Sequence, residues 1–192
     1  MNRSRLIVVG AVAAIAVALG WLLFVTLPRR YGGTVATNAV SAAPAAAPAP
    51  SGRKIKARLF YVAEDGQHLT GVEREVAYGE GAVAQAREIV AAQLAPVADP
   101  LVSAIPAGAS VRALFITDAG DAYVDLSRET VSAHPGGTTT ELLTVYSIVD
   151  ALTVNLPAVR AVQILVDGKE QETLAGHVDL RRPLEKNLDV VQ

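Results

Sequence analysis

Hydrophobic positions fall into three regimes along the chain. From Leu6 to Leu27, twenty-two positions carry no charge, and Arg3, Arg5, Arg29 and Arg30 bracket them. A helix of that length rises roughly 33 Å, enough to cross a bilayer's hydrocarbon core. From Gly32 to Gly52 the pattern disappears into Ala, Pro, Ser, Thr and Gly, with Ala42 to Pro50 of low complexity. Prolines there remove backbone donors and restrict their neighbours, so the stretch reads as a tether, with a typical span of roughly 25 Å. From Arg53 onward, short alternating runs and helical spacings take turns.

In that third regime Ile55, Ala57, Leu59 and Tyr61 alternate with Lys54, Lys56, Arg58, Phe60 and Val62, which predicts a strand over 54–63. Glu64-Asp65-Gly66-Gln67 is a turn, and Leu69 to Ala77 returns as the partner strand. Val83, Ala86, Ile89, Val90 and Leu94 keep helical spacing until Pro96. Val111–Thr117 and Ala122–Leu126 predict a second hairpin around Asp118-Ala119-Gly120-Asp121. Thr138 and Glu141 have capping-box spacing ahead of Leu142, Val145, Val149, Leu152 and Leu156, a long amphipathic helix closed by Pro157. Val159–Val166 reads as a buried strand, Asp167-Gly168 as a tight turn, and Glu170–Leu174 as its partner. The order β-β-α-β-β-α-β-β predicts an α+β domain: a mixed or antiparallel sheet with two helices packed on one face, preceded by one transmembrane helix.

Three parts follow: an anchor with basic flanks over 1–31, a flexible linker over 32–52 and a domain over 53–192. A cleaved signal peptide is the competing reading of the first part. Its apolar core is normally shorter, and the small residues Val40-Ser41-Ala42 lie well past the run. The chain has no cysteine, so attachment through an acylated Cys is excluded. The positive-inside rule leans toward a cytoplasmic N-terminus, which places the domain on the extracytoplasmic side of a bacterial inner membrane as a single-pass protein. All nineteen acidic residues lie in the domain against thirteen Lys or Arg, a net charge of −6. That balance argues against binding nucleic acid or anionic lipid.

Candidate chemistry is sparse. His68, His134 and His177 are the only histidines; none has metal-ligand spacing with another, and all three read as solvated loop residues. Asp125 and Ser127 share one strand face, with His134 available as a base. The simpler use of this pair is to tie down the strand end and the loop after it. Gly79-Glu80-Gly81 lacks the Lys and Ser/Thr of a phosphate loop and reads as a helix start. Lys54, Lys56 and Arg58 line one strand face, either for an acidic partner or as protection against edge-to-edge aggregation. Gly136-Gly137 permits an unusual backbone before the helix. No catalytic residue, cofactor or metal ligand is assigned. The candidate interaction surface comprises Lys54, Lys56, Arg58, Gly136, Gly137, Arg181 and Arg182.

Three segments together carry a family resemblance. They are Ser103-Ala104-Ile105-Pro106-Ala107-Gly108-Ala109 with Tyr123-Val124-Asp125-Leu126-Ser127; Gly136-Gly137-Thr138 with Glu141-Leu142-Leu143; and Leu165-Val166-Asp167-Gly168-Lys169 with Glu172 to Gly176 and Val178 to Leu184. In order and spacing they resemble the GerMN domain family of sporulation and germination proteins, over about residues 55–185. The resemblance implies an envelope protein held by a lipid or an N-terminal helix, and a fold similar to ring-building modules of sporulation channels. It also implies a domain without established catalytic residues. This sequence carries one such domain and no lipobox Cys. The expected function is a non-catalytic, membrane-tethered module that binds envelope proteins and self-associates weakly. The alternative is a cell-wall ligand-binding or hydrolytic domain.

Overall fold

The computed structural model describes residues 52–192. Among them no helix is long and apolar enough to cross a membrane. The expected anchor at Leu6–Leu27 and the linker up to Ser51 lie outside the described residues.

Strands β1 (Lys54–Val62) and β2 (Leu69–Ala77) form an antiparallel hairpin in which Lys54 faces Ala77 and Val62 faces Leu69. Helix α1 (Gly81–Leu94) follows, then a second hairpin of β3 (Val111–Ile116) and β4 (Asp121–Leu126). A four-residue helix, α2 (Glu129–Ser132), precedes the long α3 (Thr138–Asn155). Strand β5 (Ala161–Val166) then pairs parallel to β4, in the register Val124↔Ile164. Two short strands, β6 (Lys169–Glu170) and β7 (Leu184–Glu185), both run antiparallel to β5. The chain finishes in a 3₁₀ turn at Leu188–Val190.

The class is α+β with a mixed sheet, as the pattern predicts, but the strands divide between two sheets instead of one. β1 and β2 stand as a two-stranded sheet, and β3 to β7 form the other. Helices α1 and α3 pack on each other, and each touches both sheets. Ala122, Val124 and Leu126 of β4, with Val162, Ile164 and Val166 of β5, are buried. The period-2 pattern puts each trio on one sheet face.

Four local expectations need correction. The alternation along β1 breaks at Phe60, which is fully buried next to Leu59 and Tyr61, because helices cover the strand's outer edge as well as its face. On α1, Val83 points outward while Gln85 and Gln93 are buried. The partner strand expected over 170–174 shrinks to Lys169–Glu170, since the chain then leaves the sheet and returns at β7. The capping box at Thr138 and Glu141 does not form. Gly137, at φ 90° and ψ 142°, occupies the cap position without a side-chain cap bond, and Thr138 is already helical. The Asp167-Gly168 turn forms as predicted: both residues have positive φ, 52° and 73°, as a tight hairpin turn of this kind requires.

Candidate functional site

Glu141 explains the missing capping box. Its carboxylate turns away from the helix end and into the loop between β6 and β7. Oε1 accepts from the N–H groups of Leu174 (2.8 Å) and Ala175 (3.0 Å). Oε2 accepts from the His177 N–H (2.8 Å) and lies 3.1 Å from His177 Nδ1. The residue is fully buried. Burial pushes its pKa up, but the N–H groups of Ala175, Val178 and His177 and the His177 ring outweigh that and hold it below the ordinary value. Glu141 is therefore a charged latch fixing a loop that has left the sheet.

Asp125 and Ser127 work in a similar way at the end of β4. Asp125 is buried, and its Oδ1 accepts from the Gly168 N–H at 2.7 Å, seating the β5–β6 turn. Arg112 lies 3.5 Å from Asp125 and 3.2 Å from Asp167, which Arg128 also meets at 3.1 Å. Ser127 accepts from the Ser110 N–H (3.2 Å) and donates its own N–H to Ser110 O (2.9 Å). Both side chains tie down the strand end, which is the simpler of their two sequence readings.

The histidines are more engaged than solvated loop residues. His68 Nδ1 meets Asp65, whose carboxylate also caps the turn by accepting from the N–H groups of Gln67 and His68. His134 is half-buried: Nδ1 accepts from the Gly136 N–H (3.0 Å), which leaves Nε2 to donate to Thr144 Oγ1 (3.1 Å). Thr144 in turn donates to Ala104 O at 2.6 Å, so this chain of bonds joins the loop before α3 to the Ser103–Pro106 loop. An apolar hollow of about 280 Å³ lies beside it, lined by Val102, Ile105, Pro106, Pro135 and Leu143 among others, and no titratable group lines it. No hydrogen bond links any two of Asp125, Ser127, His134 and Glu141. Among the described residues no three His, Cys, Asp or Glu side chains gather as a metal-binding group.

The seven candidate interaction residues sit in three separate places. On the hairpin, Lys54 pairs with Glu75 at 2.8 Å and Lys56 with Glu73 at 3.5 Å, while Arg58 lies over Gly71. Gly136 and Gly137 both have φ in the left-handed region, 83° and 90°, in the loop before α3. Arg181 is held by Asp179 through two bonds of 2.9 and 2.8 Å, and Arg182 lines a hollow with Pro183 and Glu185.

Residues 58–172 match the sequence profile of the Germane family, described as "Sporulation and spore germination". The chain belongs to the Germane family. No curated protein matches the chain significantly. Among solved structures, the Germane domain resembles a candidate lipoprotein from Clostridium perfringens at 22% identity and a TM-score of 0.51, over 69% of this chain and 88% of that one. It also resembles the tandem GerMN domains of the sporulation protein GerM from Bacillus subtilis at 16% identity and a TM-score of 0.55, over 71% of this chain and 48% of that one. The first GerMN domain of the same protein matches at 16% identity and a TM-score of 0.50, over 68% of this chain and 97% of that one. At these identities the likeness is one of fold.

Within this Germane domain, several residues that carried the resemblance fasten loops or turns: Asp125, Ser127, Glu141 and the Asp167-Gly168 turn. Sequence reasoning passed over Gln93 and Asn155. Gln93 donates to Phe60 O (2.6 Å) and accepts from the Phe60 N–H (2.9 Å). Asn155 does the same for Arg58, at 2.8 Å each way. Each amide imitates a neighbouring strand and closes the outer edge of β1 at Arg58 and Phe60, leaving the end at Lys54 and Lys56 to the charges that the sequence pattern offers for edge protection. Their signal was present: Gln93 continues the Ala86, Ile89, Val90 stripe, and Asn155 continues Ile148 and Leu152. A polar residue at such a position needs a buried partner.

Proposed function

We propose that this Germane chain is a non-catalytic interaction module of the bacterial envelope, tethered at the membrane with its domain on the extracytoplasmic side. One observation carries the reading. The four side chains that hydrolytic chemistry would need, Asp125, Ser127, His134 and Glu141, are each engaged in holding backbone or neighbouring loops at different places. A hydrolase needs such groups around one reacting atom. The charge-free run Leu6–Leu27 with its flanking arginines supports the tether. The Clostridium perfringens neighbour is a candidate lipoprotein, but a chain without cysteine has no thiol for lipid attachment, so the apolar run takes that role.

Pull-down of the intact protein from cross-linked envelopes tests the reading. Envelope proteins are the expected catch, and recovery of cytoplasmic proteins alone overturns it. Protease added outside intact spheroplasts is expected to digest 53–192, and protection until lysis reverses the orientation. Assays for cell-wall hydrolysis are expected to stay at background. The isolated domain is expected to sediment as a monomer, with cross-linked species confined to the membrane-held protein, where confinement raises effective concentration.

A further inference from the structure

The two-stranded sheet treats its two edges differently. On β1 the backbone groups pointing away from β2 belong to Lys54, Lys56, Arg58, Phe60 and Val62. The two at the lysine end have no strand or side-chain partner among the described residues, and the last three are closed. Asn155 satisfies Arg58, Gln93 satisfies Phe60, and Val102 O accepts from the Val62 N–H at 2.9 Å. On β2 the outward groups belong to Leu69, Gly71, Glu73, Glu75 and Ala77, because Tyr78 bonds Arg53 and the ladder alternates from there. The two ends are closed: Gln85 donates to Ala77 O at 3.1 Å, and the Gln192 N–H donates to Leu69 O at 2.9 Å. Between them β2 pairs with β1 alone, so the outward N–H and C=O groups of Gly71, Glu73 and Glu75 have no strand or side-chain partner among the described residues. Five residues of open ladder span about 16 Å, room for one short strand.

We infer that the Gly71–Glu75 edge of β2 is a strand-acceptor site for an extended, basic peptide segment of a partner protein. Backbone pairing supplies the affinity in this mode, and side chains at alternate positions supply the selection. Glu73 and Glu75 are both exposed and form the row adjacent to the incoming strand. Lys56 and Lys54, one strand further away, pair with them at 3.5 and 2.8 Å, and the Arg58 guanidinium lies over Gly71. Basic residues on the added strand therefore meet the open side of the two carboxylates and complete Lys–Glu–Lys rows across three strands. Lys or Arg at alternate positions of the added strand complements that row. A second copy of β2 meets it with like charges, which disfavours symmetric β2–β2 pairing. The inference rests on the reading of the domain as an interaction module and names the surface it uses.

Titration of the full-length chain in detergent with a fluorescent ten-residue peptide of alternating Lys and Thr tests it, against the same peptide with Glu for Lys. The Lys peptide is expected to bind about tenfold more tightly or better, and to slow amide exchange at Gly71, Glu73 and Glu75. Glu73→Pro removes an outward N–H without touching the β1 ladder and is expected to abolish binding at an unchanged thermal midpoint. The double variant Glu73→Lys/Glu75→Lys keeps the backbone intact and is expected to reverse the peptide preference, so the test survives if the proline variant fails to fold. Equal binding of the two peptides, no binding, or binding indifferent to the charge reversal overturns the inference. Envelope partners still captured by the charge-reversed protein would overturn the edge while leaving the module reading standing.

Discussion

Asp150 of α3 accepts from the Asn187 N–H at 2.9 Å through one carboxylate oxygen, while its other oxygen is buried without a partner. Desolvation is the dominant influence, opposed by the Asn187 N–H and the nearby charge of Lys186, and it pushes the Asp150 pKa up to about 6. A folded-state pKa above the unfolded value means that folding takes up a proton between pH 6 and 4. Stability is therefore gained as pH falls through 6, and the ionised form at neutral pH costs the fold on the order of 2–3 kcal/mol. Asp150→Asn is expected to raise the melting temperature at pH 7.5 and to remove the rise in stability between pH 7 and 5. Thermal melts across that range check both.

Glu141 has the opposite sign. Its folded pKa is lowered, so its contribution is complete above the unfolded value and is lost as pH falls through the folded one. Glu141→Ala leaves the N–H groups of Leu174, Ala175 and His177 without their acceptor and is expected to cost about 3 kcal/mol or more. Glu141→Gln keeps one acceptor oxygen and is expected to cost less, with a shallower decline of stability below pH 4.5. Amide exchange at 174–177 should accelerate in both variants before any other region responds.

Gln93→Ala is expected to destabilise by about 2–4 kcal/mol, because the Phe60 N–H and C=O lose both partners inside the core and a cavity opens. Asn155→Ala, whose bonds to Arg58 are partly exposed, is expected to cost about 1 kcal/mol. The double variant bares the β1 edge and is expected to aggregate on heating. Chemical denaturation and light scattering measure the two effects separately.

Two glycines provide a contrast. A Cβ on Gly79 would sit 2.4 Å from the Ala84 carbonyl carbon and 2.5 Å from Gln85 N, which are backbone atoms that cannot give way. On Gly71 it would meet only the Arg58 guanidinium, at 2.1 Å from Nε, and that side chain can swing off. Gly79→Ala is expected to cost about 2–3 kcal/mol and Gly71→Ala less than about 1 kcal/mol. Melting curves showing equal losses would contradict this assignment of contacts.

Strands and helices were legible wherever one face is buried and neighbours along the chain decide the outcome. Ala122–Leu126, with Ala122, Val124 and Leu126 buried on one face, and the Asp167-Gly168 turn are examples. The reading slipped where a distant partner decides. Thr138 and Glu141 have the spacing of a capping box, but a loop more than thirty residues downstream captures the carboxylate. Phe60 breaks the alternation because two helices reach the strand's edge, and periodicity in one strand carries no record of them. Two sheets in place of one is the same failure at larger scale, since pairing partners are not written in the order of strands. Asp125 and Ser127 were read correctly because their work is local to the strand end they occupy.

The last residues link both sheets. Leu184 pairs with Val162 in the larger one, Val190 is buried, and Val191 bridges Leu69 of the hairpin. More than a hundred residues of chain separate Leu69 from the Val191 that bridges it, so during synthesis the hairpin leaves the ribosome well before this contact can form. A chain cut between Glu185 and Val190 is expected to keep the Leu184 pairing of the larger sheet and to leave the Leu69 end of the hairpin open to proteolysis.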